Sequence, residues 1–322
     1  ATCDHITLDS CDIDGDSAAC TGINMGGSHI TIRKCRIHDI ADDGIQCTAG
    51  GDHWYFHENE ICHLFGCGTD GGCGPCYNGH SDGFEMGGVD TVEVKRNLVY
   101  DVRSTSAFFM NNWSGGATIH NLILENNIFY QNWAHYGGGI SIENTSDAVV
   151  VGNDINSNRA RHDPGRGGGV YAEYSPGITL VNNDIHDNQA LPDNFSEGGG
   201  VYIRYSDHAV LQDNRFYDNY VEVAQPGNIT SLGGGGFYVG GSDHVLVTGN
   251  EIYSNTVHGE RSRGWPYGGG ALIEAGAYIT FTHNLVHHNA ADGVVNSHGD
   301  CGGLALEDVT DGFVAHNEIY AN

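Results

Sequence analysis

Polar and apolar residues alternate along this chain in short runs, and each run leads into an asparagine. The recurring motif is Asn-x-(Ile/Val/Phe)-x-x-Asn, with apolar residues five and three positions before its first Asn. Full copies begin at Asn127, Asn153, Asn183, Asn214, Asn250, Asn284 and Asn317. Degraded copies begin at Asn97 and Asn59, and Cys35 and Cys11 occupy the same position, which makes eleven copies. Alternation with a period of two predicts β-strands, and no segment shows the period of a helix.

The spacing of the motif indicates the architecture. From Asn153 onward, successive copies are 30, 31, 36, 34 and 33 residues apart, so a fixed motif recurs at a variable length. This excludes helical repeats of constant length and favours a parallel β-helix with three short strands per coil. Coils would stack about 4.8 Å apart. Each asparagine would then be buried and bond to the asparagine of the neighbouring coil and to backbone groups.

These observations predict an all-β solenoid of about 10–11 coils that forms a single domain over residues 1–322. A β-propeller is the alternative, but its blades have longer periods. The segments GNDINSN, NNDIHDN and GNEIYSN resemble the right-handed parallel β-helix repeat of pectate-lyase-like proteins over nearly the whole chain. The resemblance leaves function open, because that superfamily includes polysaccharide lyases, glycoside hydrolases, phage tailspikes and carbohydrate-binding modules. Neither end shows a polar cap, so we expect a domain from a larger multidomain protein.

Charge limits the partners of such a domain. The chain has 41 Asp and Glu against 13 Lys and Arg, a net charge of −28. This balance argues against nucleic acids, anionic membranes and polyanionic substrates, unless a metal ion intervenes. No apolar run of about 18 residues is present to span a membrane. Ten cysteines suggest an oxidising compartment or a metal site, and we expect a secreted, extracellular bacterial protein.

The strands that follow glycine clusters predict a binding groove. Alternation turns Tyr171, Tyr202 and Tyr238 outward in successive coils, where their rings would stack on sugar faces. Insertions that lengthen along the chain follow the motif and would form a wall beside these rings. The candidate ligand-binding residues are Phe109, Trp133, Tyr171, Glu173, Tyr202, Arg204, Tyr238 and Trp265. The alternative is that the tyrosines stack only on one another to stabilise the strands.

A second aromatic row is predicted three residues after the first Asn of each motif copy, directly after the apolar residue of the motif. Its members are Tyr100, Tyr130, His186, Tyr217, Tyr253, His287 and Tyr320. We expect these rings to stack for stability, with a second binding face as the alternative.

Several residues offer catalytic chemistry without a convincing constellation. Glu143 and Glu173, one coil apart, have the spacing of a retaining glycosidase pair, as do Glu274 and Glu307. Arg204 is a candidate lyase base, or else the partner of a salt bridge to Glu173.

Two acidic segments carry a further resemblance. ADDGIQ, with Asp42 and Asp43, and NGHSDGF, with His80 and Asp82, resemble segments of polygalacturonase-type hydrolases. The Arg-x-Lys pattern that follows them in that family is missing here, which argues against that activity.

Metal sites are considered at two places. Asp12, Asp14 and Asp16 resemble the start of a calcium loop, but the twelve-residue pattern is incomplete, so calcium would be structural and no cofactor is required. Cys62, Cys67, Cys73 and Cys76 suit disulfides in a long loop, with zinc as the alternative. Cys11 and Cys35 either pair or pack as small apolar residues.

The function predicted from these features is non-catalytic binding of a neutral, xylan-like plant polysaccharide. In outline the chain is similar to β-helix carbohydrate-binding modules attached to bacterial xylanases, which implies a covalently linked glycoside hydrolase domain. The alternatives are a glycoside hydrolase, or a calcium-dependent polysaccharide lyase, of the same fold. A structural or adhesive surface protein is a third possibility. Nucleic acid and membranes are not expected partners.

Overall fold

Parallel β-strands build the whole of the computed structural model described here. It describes residues 3–16, 21–47, 51–65, 81–111, 119–161, 165–191, 196–222, 232–259, 266–293 and 301–322. Within these residues the chain forms three long sheets and two short ones, and every pairing between strands is parallel. No helical segment in this part of the chain is long and apolar enough to cross a membrane.

Each coil contributes one strand to each long sheet in turn. Sheet A has 11 strands: Cys3–Asp9, Gly27–Arg33, Gly51–His57, Val89–Lys95, Leu122–Glu125, Val149–Val151, Thr179–Val181, Val210–Gln212, Leu246–Thr248, Thr280–Thr282 and Phe313–Ala315. Sheet B has 11: Asp12–Asp14, Arg36–Ile40, Glu60–Leu64, Leu98–Val102, Ile128–Tyr130, Asp154–Asn156, Asp184–His186, Arg215–Tyr217, Glu251–Tyr253, Leu285–His287 and Glu318–Tyr320. Sheet C has 10: Ile23–Met25, Ile45–Cys47, Phe84–Gly87, Phe108–Asn111, Ile140–Glu143, Val170–Glu173, Val201–Arg204, Phe237–Gly240, Ala271–Glu274 and Leu304–Glu307.

Two short sheets lie between sheets B and C in the later coils. Sheet D has six strands: Trp133–Ala134, Arg159–Ala160, Gln189–Ala190, Tyr220–Glu222, Thr256–Gly259 and Ala290–Gly293. Sheet E has four: Gly165–Arg166, Ser196–Glu197, Leu232–Gly233 and Pro266–Tyr267. The sequence pattern had assigned these segments to loops, because strands of two to four residues are too short to show alternation.

The main core fills the interior of the coils. Inward residues of sheets A, B and C, such as Leu180, Ile185 and Val170, have no exposed surface and pack into one continuous apolar cluster. Their burial follows directly from the period-two alternation, because every second residue of a strand points to the same face. The prediction of an all-β parallel solenoid is therefore confirmed, with 11 strands in each of its two longest sheets.

Buried asparagines join the coils at the turn between sheets A and B. The Asn183 side chain accepts a hydrogen bond from the Asn153 amide at 3.0 Å, and donates to Asn214 at 2.9 Å and to the Val150 carbonyl at 2.8 Å. The ladder predicted from the sequence is thus confirmed. The second asparagine of the motif forms a parallel ladder after sheet B, in which Asn188 donates to Asn219 at 3.1 Å.

Glycine triplets bring sheets C and D close together. Gly167 has a φ of 61°, in the left-handed region, and a Cβ added to Gly168 would lie 2.4 Å from the Gly199 carbonyl oxygen of the next coil and 2.6 Å from the backbone nitrogen of Gln189 in sheet D. No side chain fits between these backbones, so glycine is required here. The triplet lets each coil turn sharply into its sheet C strand.

A second apolar cluster lies on the outer face of sheet C, beneath sheet E. It contains Tyr171, Tyr202, Tyr238, Leu272 and Ala305, with Tyr136 and Tyr267 packed against it. Sheet E therefore covers what would otherwise be the solvent face of sheet C in these coils, and the later part of the solenoid has two apolar layers rather than one.

Candidate functional site

Polar side chains line the ends of the sheet C strands, where each coil turns towards sheet A. We call this line the carboxylate row; its members are Asn111, Glu143, Glu173, Arg204, Glu274 and Glu307. Parallel pairing sets Glu143 beside Glu173, and Glu173 beside Arg204, on successive coils. Adjacent strands lie about 4.8 Å apart, so each side chain is within reach of its neighbours.

Glu143 and Glu173 have different surroundings although they are neighbours. Glu143 is half-buried and accepts a hydrogen bond from the Asn111 amide at 2.7 Å. Burial, reinforced by the nearby Glu173 carboxylate, raises the pKa of Glu143 to about 7. Glu173 instead accepts a hydrogen bond from the Tyr171 hydroxyl at 2.7 Å. The pair therefore places a carboxyl group that holds its proton to about pH 7 beside a second carboxyl group with a different hydrogen-bond partner.

Buried tyrosines donate hydrogen bonds to two glutamates of the carboxylate row. The Tyr171 ring is 3% exposed, yet its hydroxyl reaches Glu173, and the Tyr238 hydroxyl reaches Glu274 at 2.9 Å. Because the rings are packed beneath sheet E, their hydroxyl groups are fixed in place. The two carboxylates are therefore held by a rigid support rather than by mobile side chains.

Comparisons with known proteins match this architecture. A family model described as "Right handed beta helix region" matches residues 1–155 and 75–305, which is most of the chain. The chain belongs to the right-handed β-helix family. The handedness and superfamily expected from the GNDINSN-type repeats are thus confirmed.

Solved β-helix structures are similar in fold. The A-module of the mannuronan C-5 epimerase AlgE6 from Azotobacter vinelandii superposes with a TM-score of 0.56 at 13% identity, covering 97% of this chain and 74% of that one. The AlgE4 A-module from the same organism covers 98% and 90% at 10% identity, with a TM-score of 0.33, too low to carry an argument. No curated protein matches the sequence. At these identities the likeness shows the fold alone.

The expected exposure of the tyrosine row in this β-helix is wrong. Tyr171, Tyr202 and Tyr238 do point away from the main core and stack in register, with ring centroids 5.2 and 5.0 Å apart. However, their exposed fractions are 3%, 0% and 2%, because sheet E covers them. Buried rings present no face to a sugar, so the predicted aromatic floor of a groove is absent from these coils.

The other candidate binding residues are distributed over different surfaces. Phe109 is half-buried on sheet C, and Glu173 and Arg204 belong to the carboxylate row. The Arg204 guanidinium carbon lies 4.6 Å from the Tyr205 ring centroid, so this arginine is stacked on an aromatic ring. Trp133 lies on the outer face of sheet D and is half-buried. Trp265 lies outside the described residues.

The second aromatic row lies on the outer face of sheet B. Its rings are stacked nearly parallel: Tyr217 is 4.5 Å from His186 and 5.0 Å from Tyr253, with interplanar angles of 6° and 4°. Each ring covers the face of the next and leaves mainly its edge to solvent. The expected stacking is confirmed, and the edges are poorly suited to stacking on sugars.

The proposed calcium residues lie in an exposed acidic segment. Asp12, Asp14 and Asp16 are all exposed, and the Asp14 carboxylate accepts a bond from the backbone N–H of Asp16 at 2.8 Å. Asp14 converges with His38 and Asp39, whose potential ligand atoms lie within 4.8 Å of one another. This group includes a histidine, whereas calcium prefers oxygen ligands. Calcium binding at Asp12, Asp14 and Asp16 stays a prediction.

The segments that resemble polygalacturonases have structural contacts here. Asp43 accepts the backbone N–H of Asp82 at 2.8 Å, and Asp82 accepts that of Ser106 at 2.7 Å. Both aspartates are at least 99% buried. They therefore join successive turns before sheet C, much as the asparagines do elsewhere. His80 lies outside the described residues.

The cysteines in the described part of the chain are free thiols. Cys11, Cys35 and Cys62 form no disulfide there, and Cys35 and Cys62 pack as buried small residues. Cys67, Cys73 and Cys76 lie outside the described residues, so their disulfide or zinc chemistry stays a prediction.

Sequence reasoning named both glutamates but missed the contacts that distinguish them. Asn111 lies outside the Asn motif, between the copies that begin at Asn97 and Asn127, and the role of the Tyr171 hydroxyl depends on the burial of its ring. The only available signal was the register of sheet C, which places Asn111, Glu143 and Glu173 in one row.

Proposed function

We propose that this β-helix acts on a polysaccharide, and that the Glu143–Glu173 pair cleaves a glycosidic bond. One observation carries the proposal: two carboxyl groups lie side by side on adjacent coils, and burial together with the nearby Glu173 raises the pKa of Glu143 to about 7. Glycoside hydrolysis requires two neighbouring carboxyl groups, one of which keeps its proton near neutral pH to act as the acid.

The roles follow from the surroundings of each residue. Glu143, protonated near neutral pH, donates its proton to the oxygen of the leaving sugar. Glu173, fixed by Tyr171, is the carboxylate that attacks the anomeric carbon or stabilises its positive charge. Water then completes the hydrolysis, and Glu143 accepts the proton from that water. Strands about 4.8 Å apart place the groups at the roughly 5 Å separation typical of retention.

An extended surface supports a polymer as the substrate. The carboxylate row continues through Arg204 and, past Gly240 on the intervening coil, to Glu274, so a polysaccharide lying across the coils meets polar side chains on most coils, which are about 4.8 Å apart. The solved AlgE6 A-module, similar in fold, is named as acting on mannuronan, a polysaccharide. That likeness supports a carbohydrate substrate without indicating which one.

The test is the release of reducing ends from a panel of neutral and acidic polysaccharides. Glu143→Gln and Glu173→Gln should each reduce release by at least about 100-fold. Glu251→Gln on sheet B, which also removes one charge, should leave it unchanged. Product anomers followed by NMR should show retention. Release of reducing ends that persists in both Glu143→Gln and Glu173→Gln would refute the assignment of these residues as the catalytic pair.

Non-catalytic binding of a neutral, xylan-like plant polysaccharide is the second candidate. The accessible Trp133 on sheet D favours it, because an indole is a common contact for sugars. Under this proposal the chain would be a secreted module joined to a glycoside hydrolase. Binding to xylan without any release of reducing ends, in the wild type, would favour it over hydrolysis.

A further inference from the structure

Three arginines surround one tryptophan on the outer face of sheet D. Arg103 pairs with Trp133 through a parallel bridge, and Trp133 pairs with Arg159 on the next coil. The guanidinium carbons of Arg103 and Arg159 lie 5.5 and 6.0 Å from the Trp133 ring centroid, and that of Arg161 lies 4.1 Å from it. All three distances are within the range of cation–π attraction.

The cluster forms the wall of a surface pocket. The pocket has a volume of about 180 Å³ and is lined by Arg103, Ser104, Trp133, Ala134 and Arg161. Arg103 and Arg161 are exposed, while Trp133 and Arg159 are half-buried. Stacking on the indole restricts the guanidinium planes, so their N–H groups are presented to the pocket with less loss of side-chain freedom on binding.

The positive charge here is unusual for this chain. Only 13 of its residues are Lys or Arg, and three of those contact a single ring in a protein of net charge −28. Asp101 neutralises Arg103, with 2.5 Å between Oδ1 and Nε. Within the described residues, no ion pair involves Arg159 or Arg161. Burial and the charge of Arg159 lower the pKa of Arg161.

We infer that this pocket binds an oxyanion carried by a saccharide, as a carboxylate or a sulfate ester. Planar guanidinium groups bind both anions through paired N–H donors, and the indole offers an apolar edge to the sugar ring. The acidic remainder of the surface repels a polyanion, so the ligand is a mostly neutral glycan with isolated acidic groups. The inference goes beyond the proposed function, because no step of it involves Glu143 or Glu173.

The pocket also lies on the coils that carry the proposed catalytic pair. A Cβ on Gly138, at the start of the sheet C turn, would meet the backbone nitrogen of Arg159, so sheet D runs beside the start of that strand. Glu143 lies at the other end of it, about 16 Å away at 3.3 Å per residue. An acidic side group bound at Trp133 would thus determine the position along the polysaccharide at which the protein binds.

Calorimetric titration of the full chain with matched oligosaccharides tests the inference. A glucuronate-decorated xylo-oligosaccharide is compared with the same oligosaccharide after removal of the glucuronate, and a sulfated galacto-oligosaccharide with its desulfated form. We expect at least about tenfold tighter binding of an acidic member than of its neutral partner, weakening as salt is added. If the glucuronate oligosaccharide binds more tightly than its neutral counterpart, the bound anion is a carboxylate; if the sulfated oligosaccharide does so, it is a sulfate ester.

Variants separate this site from the rest of the surface. Arg159→Gln with Arg161→Gln should abolish the preference for the acidic member, while Arg215→Gln on sheet B should keep it. Melting temperatures verify that each variant is folded. Equal affinity for the acidic and neutral members of both pairs, or an acidic preference that survives the double substitution, would overturn the inference. Loss of reducing-end release in Glu143→Gln is measured separately on a neutral polymer, so failure of one proposal leaves the other intact.

Discussion

Two aromatic rows run along this β-helix with almost the same geometry and opposite surroundings. On sheet C, Tyr202 and Tyr238 stack with centroids 5.0 Å apart and are buried. On sheet B, Tyr217 and Tyr253 stack at the same 5.0 Å and are half-buried at the surface. The difference lies in sheet E, which covers the first row and has no counterpart over the second among the described residues. A stacked ladder therefore says nothing by itself about binding.

The presence of sheet E changes the surroundings of the sheet C residues beneath it. Under sheet E, Tyr171 and Tyr238 are fixed and their hydroxyl groups bond to Glu173 and Glu274. On sheet B, the ion pair between Arg215 and Asp184 lies in solvent and contributes little. The same residue types thus support a preorganised acidic site in one region and a solvated surface in the other. Four predictions test this comparison.

Removing a ring from the buried row should have the largest effect. Tyr202→Ala leaves a cavity between sheets C and E and should lower the free energy of unfolding by about 3–5 kcal/mol. Chemical denaturation measures it. A loss below about 1 kcal/mol would show that sheet E does not cover this row in solution.

The carboxylate row on the same sheet should make stability depend on pH through Glu143. Its pKa, about 7 in the folded chain, is above that of the unfolded chain, so the folded state holds its proton longer. The contribution of Glu143 to the free energy of unfolding therefore falls as pH rises from about 4.5 to 7 and stays at that lower value above pH 7. Glu143→Gln should match the wild type at pH 4 and exceed it by about 1–3 kcal/mol at pH 8.

Unfolding by denaturant at pH 4, 6 and 8 follows that change. Glu251→Gln on sheet B is the control, since its side chain lies in solvent, 41% exposed. A difference between Glu143→Gln and wild type that stays constant over this range would contradict the raised pKa.

Removing a single hydroxyl from the buried row should have an intermediate effect. Tyr171→Phe keeps the ring but loses the bond to Glu173, which should cost about 1–2 kcal/mol of unfolding free energy. It should also reduce reducing-end release, because the carboxylate is no longer fixed. Tyr238→Phe, which loses the bond to Glu274, should cost a similar amount and leave release unchanged; equal effects of both on release would refute a special role for Glu173.

Removing a ring from the exposed row should have the smallest effect. Tyr217→Ala loses stacking with His186 and Tyr253 but creates no cavity, so the expected cost is about 0.5–1 kcal/mol. Binding of oligosaccharides should not change. If affinity falls instead, the edges of the sheet B row contact the glycan, and this face becomes the binding surface.

The sequence predicted the coils well because their determinants are local and repeated. Asn183 was expected to be buried and bonded to Asn153 and Asn214, and it is. The side of sheet C to which Tyr202 points was also predicted correctly. Its burial was not, because the covering strands, such as Gly165–Arg166, have two residues and no alternation.

The candidate site was predicted only in part for a related reason. The register of the repeats places Glu143 beside Glu173, and this could be worked out from the glycine-led strands alone. The raised pKa of Glu143 depends on its burial and on the nearby Glu173, which are properties of the packed coils. The arginines around Trp133 come from the two coils on either side of it, and no short motif unites them.

The asparagine ladder also determines how this chain tolerates changes in length. Successive partners are 26, 30, 31, 36, 34 and 33 residues apart, yet their side chains meet at 2.9–3.1 Å every time. Inserted residues are accommodated elsewhere in the coil, so insertions leave the ladder bonds in place. A duplication copied from one ladder asparagine to the next would add a complete coil with every bond restored. Such a solenoid is suited to evolve by gaining whole coils and by exchanging the segments between sheets D and E.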